Sequence, residues 1–335
     1  MFTAAHGVRR FHPVAATVAL ASSVLLTTAC GSPKFIRAVA APEFDKVPEG
    51  SVTRNVVVVS IDGLRPDAIH AFDADTLKRL IGEGSYTLKA STINPSKTLP
   101  SHTSMLTGEP PERHQVLWNN VTTAKTDEIE LPNIFSVARQ SGYTTAAFFS
   151  KAKFQPLQRP GTLDYSQAPG GWFGKWSGER TMTDVEKYLR DAKPNLLFVH
   201  LTDPDAAGHS SGWMGAEYGR AVRAADAAVA RLLKVADSAY GRGNYSLIVT
   251  ADHGGHDRNH GSDDPRDITI PWIAWGKGVK TGELDDASVR TMDTASTVLW
   301  LLGLREPTDW AGTPVVDAFE ASTPNIQSPT PNDGH

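Results

Sequence analysis

Five apolar runs punctuate the chain: Val56–Ile61, Thr144–Phe149, Leu196–Leu201, Leu247–Ala251 and Ile270–Trp275. Each is too short for a buried helix, and several are apolar at nearly every position rather than at alternate ones. That pattern marks strands covered on both faces, as in a parallel sheet. Between them lie segments of helical period. Ala216–Ala236 places Val222, Ala225, Val229, Leu232 and Leu233 on one stripe, while Leu131–Ser141 and Asp293–Leu302 each stop at a glycine, Gly142 and Gly303. Alternating strands and helices predict an α/β domain whose central, mostly parallel sheet carries helices on both faces. Ligands of such sheets bind beyond the carboxyl ends of the strands.

Chemistry-bearing residues gather at those strand ends. Asp62 closes the run from Asn55, and Gly63 lets the chain turn tightly there. A strand-end Asp is more often a turn former than a ligand, so the single residue carries little. Thr98 lies two residues before Pro100, which suits a first helical turn, so its hydroxyl sits near a helix start that favours phosphate oxygens. Ser96 is the rival hydroxyl, and simple capping is the plainer role for this segment. Asp205 and His209, four apart after the third run, would reach one ion from a helical turn, with Asp203 as an alternate ligand or a support. Asp252, His253, His256 and His260 crowd one loop after the fourth run, and spacing alone does not choose between His256 and His260. Three Asp, three His and one hydroxyl are enough to hold two divalent cations about 3.5–4 Å apart, an arrangement suited to in-line displacement at phosphorus. Mixed His/Asp donors favour zinc.

The ends of the chain add an address. Arg9 and Arg10 precede the apolar stretch Val14–Leu26, which falls short of the roughly 20 residues of a spanning helix and reads as an export signal. Leu26-Thr-Thr-Ala-Cys30-Gly31 resembles a lipoprotein cleavage box, and Cys30 is the only cysteine. The expected organisation is a signal at 1–29, a tether at 30–51, a catalytic domain at 52–321 and a disordered tail at 322–335. The protein is then exported and held at the cell membrane or envelope through lipid on Cys30. One cysteine excludes an internal disulfide, and a formal net charge of −4 gives no sign of a nucleic-acid-binding surface. Trp172, Trp176 and Trp213 would either stack on a substrate or cover the core. Lys151 and Lys153, right after a strand-like run, could meet a phosphate, but the plainer expectation is that they solvate the sheet edge.

The segments Ile61-Asp62-Gly63, Lys97-Thr98-Leu-Pro-Ser-His102, Pro204-Asp205-Ala-Ala-Gly-His209, Asp252-His253-Gly254 and His260-Gly261, in this order, resemble the type I phosphodiesterase/nucleotide pyrophosphatase family of the alkaline phosphatase superfamily. The resemblance implies an alkaline phosphatase-like fold and two zinc ions. One would be held by Asp205, His209 and His260, the other by Asp62, Asp252, His253 and the Thr98 hydroxyl. Thr98 would form a phospho-threonine, and Asn119, at the family's offset from the nucleophile and next to its competitor Asn120, would contact a phosphate oxygen. The implied substrate is a phosphate ester, nucleotide-like in the family at large. A neutral amide in place of an arginine clamp suits a singly charged diester better than a dianionic monoester. Six residues separate His253 from His260, where the nucleotide pyrophosphatases carry a long insertion, so nucleotide-selecting elements have no counterpart there. No modified-nucleophile block of the sulfatases is present. The alternatives are a phosphomonoesterase on the same residues and a metal-binding lipoprotein without turnover.

Overall fold

The computed structural model describes residues 51–121, 129–171, 174–284 and 289–320. Cys30, the export signal, nearly all of the tether, the 322–335 tail and Trp172 lie outside the described residues.

Eight strands form one sheet: β1 (Val56–Ile61), β2 (Ser85–Ser91), β3 (Thr145–Phe148), β4 (Tyr165–Gln167), β5 (Leu196–Leu201), β6 (Ser246–Thr250), β7 (Thr269–Gly276) and β8 (Gly282–Glu283). Their spatial order is β4-β3-β5-β1-β6-β7-β2-β8. From β4 to β6 all neighbours are parallel, and only β7 runs antiparallel to its neighbours β6 and β2. Every residue of β1, β5 and β6 is buried, which is why the sequence is apolar there at most positions and not only at alternate ones. Burying one such valine contributes about 1.5–3 kcal/mol.

Two groups of helices cover the sheet. Thr98–Thr107, Ile134–Gln140 and Asp293–Leu301 pack together, as do Asp75–Glu83, Gly178–Asp191, Asp203–Ser211 and Ala216–Tyr240. The helix expected from Leu131 begins at Ile134 instead, because the Asn133 side chain accepts from Phe135 and Ser136 N–H while Ser136 returns a bond to the Asn133 N–H. The Ala216 helix runs four residues past its expected end. Among the described residues no helix is long and apolar enough to cross a membrane.

The parallel order fixes where chemistry can gather. β5, β1 and β6 are neighbours running the same way, so the chain leaves all three at one edge. Asp62, Asp205 and Asp252 follow those strands. Gly63 makes the junction possible: its φ is +71°, and a Cβ there would lie 3.0 Å from the Asp205 backbone. Across this contact the Asp205 N–H donates to the Asp62 carbonyl at 2.9 Å and the Gly63 N–H to Asp252 Oδ1 at 3.1 Å.

Candidate metal centre

Seven residues singled out by sequence converge at this edge. His253 Nε2 lies 3.3 Å from Asp62 Oδ1, 3.3 Å from Asp252 Oδ2 and 4.0 Å from Asp205 Oδ1. His260 Nε2 is 3.4 Å and His209 Nε2 3.3 Å from Asp205 Oδ1, and the two nitrogens are 3.1 Å apart. Thr98 is the first residue of its helix, and its Oγ1 lies 3.4 Å from His253 Nε2. Two groups could each hold a cation, Asp62-Asp252-His253 and Asp205-His253-His260, with His253 common to both. His209 adjoins the second group.

The donor chemistry fits cations. His209, His253 and His260 present Nδ1 to the carbonyls of Arg258, Gly254 and Ser96 at 3.0, 2.8 and 2.7 Å. A carbonyl oxygen only accepts, so each Nδ1 carries a proton, and in the neutral imidazole that binds a metal each Nε2 turns a lone pair into the cluster. Asp62 Oδ1, Asp205 Oδ1 and Asp252 Oδ2 are buried there with no hydrogen-bond donor. Lone pairs facing lone pairs away from water are costly unless positive charge lies between them. The strain is visible in Asp252, whose carboxyl is pushed up to about 7 by burial and by the Asp62 charge. Zinc or a similar divalent ion suits such a set.

Several choices left open by sequence resolve geometrically. His256 turns away to Asp267 Oδ1 at 2.7 Å, so His260 is the histidine in the cluster. Ser96 donates to the Ser262 carbonyl at 2.8 Å, leaving Thr98 as the hydroxyl beside the cluster. Neither caps the helix through its side chain, since the N-cap is Lys97 without a side-chain bond. Asp203 accepts from the Gly178 N–H at 2.7 Å and supports a helix start instead of the cluster. Trp213 is buried under the site: its Nε1–H donates to the Gly63 carbonyl at 3.0 Å, and its ring meets those of His209 and His260 edge-on. It packs against Gly208 and Gly255, where any Cβ would collide with the indole. Trp213 is therefore support and not a stacking wall.

The expectation for Lys151 and Lys153 is wrong. Lys151 is 3 % exposed, with Nζ 2.5 Å from Asp62 Oδ2 and 2.6 Å from Asp205 Oδ2. Burial would strip its proton, but Asp205 and Asp62 outweigh that and hold it charged. Half-buried Lys153 places Nζ 3.2 Å from Asn119 Oδ1. β3 ends at the same edge as β1 and β5, so residues just past it point into the site and not into solvent. Asn119 Oδ1 also accepts the Leu99 N–H at 2.9 Å, tying it to the residue after Thr98, whereas Asn120 is exposed.

Two further histidines were not assigned roles from sequence. His200, inside β5, accepts the Ser150 N–H at Nδ1 (3.3 Å) and donates Nε2–H to Asp62 Oδ2 at 2.9 Å. His102 donates Nδ1–H to the Thr98 carbonyl at 2.7 Å and receives the Ser60 hydroxyl at Nε2, 2.8 Å away. Burial lowers the basicity of both and keeps them neutral, so they orient Asp62 and the start of the Thr98 helix.

Residues 56–268 match the family described as type I phosphodiesterase / nucleotide pyrophosphatase. Human ectonucleotide pyrophosphatase/phosphodiesterase family member 1 is 26% identical over 223 residues, covering 62% of this chain and 24% of that protein. Human GPI ethanolamine phosphate transferase 1 is 23% identical over 297 residues, 78% of this chain and 30% of that protein. The chain thus spans about a quarter to a third of the length of these curated relatives. Among solved structures, an inactive murine ectonucleotide pyrophosphatase / phosphodiesterase 5 in complex with AMP superimposes with a TM-score of 0.67 at 16% identity, covering 79% of this chain and 100% of that one. A 2-O GAG sulfatase gives 0.65 at 16% identity, over 82% of this chain and 76% of that one. At such identities the two structures share the alkaline phosphatase-like fold with this chain.

Proposed function

Because the chain belongs to the type I phosphodiesterase / nucleotide pyrophosphatase family, we propose that it is a metal-dependent phosphodiesterase working through a covalent phospho-threonine at Thr98. The observation that carries this reading is the meeting of three imidazole lone pairs and three donor-less carboxylate oxygens beside the Thr98 hydroxyl. Asp62, Asp252 and His253 with Thr98 Oγ1 would hold one zinc ion, and Asp205, His209 and His260 the other. When bound, the two ions supply positive charge that favours ionised oxygen and polarises the phosphoryl group.

The chain's own residues do the rest. The Thr98 oxygen attacks phosphorus, the bond to the ester oxygen breaks, and the alcohol leaves with that electron pair and takes up a proton. Water then attacks the phospho-threonine, the phosphorus–Oγ1 bond breaks, and Thr98 is regenerated with the remaining phosphate ester released. Asn119, anchored through Oδ1 to the Leu99 N–H, has its amide NH₂ left to donate to a phosphate oxygen. His200 and His102 hold Asp62 and the Thr98 backbone in place throughout.

Steady-state rates on bis(p-nitrophenyl) phosphate test the proposal. Thr98→Ala should lose nearly all turnover, Thr98→Ser should keep an appreciable part, and Ser96→Ala should remain active. A dead Ser96→Ala beside an active Thr98→Ala would overturn it. A second reading, a phosphomonoesterase on the same residues, is favoured by one observation, the Lys153 ammonium beside Asn119. Faster turnover of p-nitrophenyl phosphate than of its diester would favour that reading.

Export and lipid attachment at Cys30 are proposed from sequence alone. Palmitate-analogue labelling of the wild type that is lost in Cys30→Ser supports them, and an unlabelled wild type refutes them.

A further inference from the structure

Immediately beside Asn119 a cavity of about 370 Å³ opens, lined by Asn119, Asn120, Lys151, Lys153 and Lys175 among others. Among the described residues, every ionisable side chain on its wall is a lysine. Lys151 is committed to Asp62 and Asp205. Lys153 and Lys175 have no carboxylate within 4.0 Å among the described residues; the polar contact of Lys153 is the neutral Asn119 Oδ1. Lys175 is held at the rim by an antiparallel bridge to Lys151, by Ala152 N–H to the Gly174 carbonyl and by Trp176 N–H to the Ser150 carbonyl, both 2.9 Å. The wall is therefore built by the backbone.

An ammonium group withdrawn from water without a counter-charge is unfavourable, and proteins retain one where a ligand completes it. Burial, then the nearby Lys151 charge, lowers Lys153 to about 8, so it still carries its proton for the most part at neutral pH. The bond from the Leu99 N–H to Asn119 and from Asn119 to Lys153 puts this ammonium two contacts from the residue that follows the nucleophile. A group attached to the reacting phosphorus is thus within its reach. The volume lies in the range of small-ligand pockets and exceeds what one phosphoryl group fills.

We propose that Lys153, with Lys175 at the rim, forms an anion subsite beside the reacting phosphate, so that preferred substrates are phosphodiesters whose retained group bears a second negative charge. This rests on the phosphodiesterase reading above. The shared chemistry is an anionic oxygen group, carboxylate or phosphate, close to the reacting phosphorus.

Three p-nitrophenyl phosphodiesters with the same leaving group test it, carrying a methyl, a carboxymethyl or a 2-phosphoethyl retained group. Wild type should favour at least one charged ester over the methyl ester by about tenfold or more in kcat/KM, mainly through KM, and the better of the two identifies the charged group. Lys153→Met should bring that ratio near one, Lys153→Arg should restore most of it, and Lys175→Met should lower it less. A wild-type ratio near one overturns the proposal. So does an equal loss on all three esters in Lys153→Met, which would place Lys153 on the reacting phosphate. Calorimetric titration of the zinc-loaded protein is independent of turnover: pyrophosphate should bind at least tenfold tighter than phosphate, and Lys153→Met should erase the difference. If no ester is turned over, the phosphodiesterase reading fails, and the titration still decides the subsite: equal binding of the two anions overturns it.

Discussion

At the ends of β1, β5 and β6 the polar atoms facing one another are acceptors: three imidazole nitrogens, that of His209 reaching solvent, and three buried carboxylate oxygens. One strand further along the same edge, past β3, the ionisable groups on the cavity wall are all ammonium donors among the described residues. The two regions are complementary halves of one problem. Buried acceptors call for cations and buried ammonium groups call for anions, and a phosphate ester drawn to metal ions meets both demands. Lys151 joins the regions, standing on the lysine wall while its Nζ contacts Asp62 and Asp205. Neither region is explained by stability alone, since uncompensated buried charge destabilises a fold.

The largest effect should come from the junction. Thr98→Ala is expected to lower kcat by at least about a thousandfold, because a covalent step disappears while six other ligands remain. Elemental analysis of the variant should find its metal little changed. If turnover and metal vanish together, Thr98 belongs to the acceptor region as a ligand and not as the nucleophile.

Lys151→Met breaks the link between the regions. Removing one partner of a buried ion network costs about 3–5 kcal/mol, so the variant should melt well below wild type. Two carboxylates that lose their ammonium should also depend more on metal, and chelator should lower its melting temperature more than that of wild type. Equal chelator sensitivity would mean that Lys151 does not neutralise the acceptors.

His200→Ala sharpens the acceptor side alone. Asp62 loses the N–H that fixes Oδ2, and zinc affinity should fall about 10- to 100-fold, read by competition with a chelating dye. Val58→Ala on fully buried β1 should cost about 2 kcal/mol of stability and leave turnover of the folded enzyme near wild type. A large change in catalysis there would mean that the sheet does more than position the site.

The acceptor region was legible in sequence because its members lie within short motifs directly after apolar runs. Asp62, Asp205, Asp252 and His253 needed only the rule that parallel strands release their chemistry at one edge. The lysine region was not legible. Lys151 meets Asp205 across 54 residues and His200 meets Asp62 across 138, so nothing local distinguishes either from a solvated lysine or a core histidine. β1 and β5 were read at their observed bounds because both faces are covered. β2, whose buried positions are broken by partly exposed ones, and β4, only three residues long, carry no apolar run to read, and the antiparallel direction of β7 leaves no trace in its apolar run. His260 was separated from His256 only by the fold, which gives His256 a carboxylate partner in Asp267.

The central claim is that the acceptor cluster exists to hold two divalent ions, and elemental analysis of the purified protein after gentle dialysis tests it most directly. The account predicts about two zinc ions per chain, one fewer in Asp252→Asn or His260→Ala, and loss of phosphodiesterase turnover on chelation with recovery on adding zinc back. One ion or none per chain, with turnover undiminished in chelator, would contradict it.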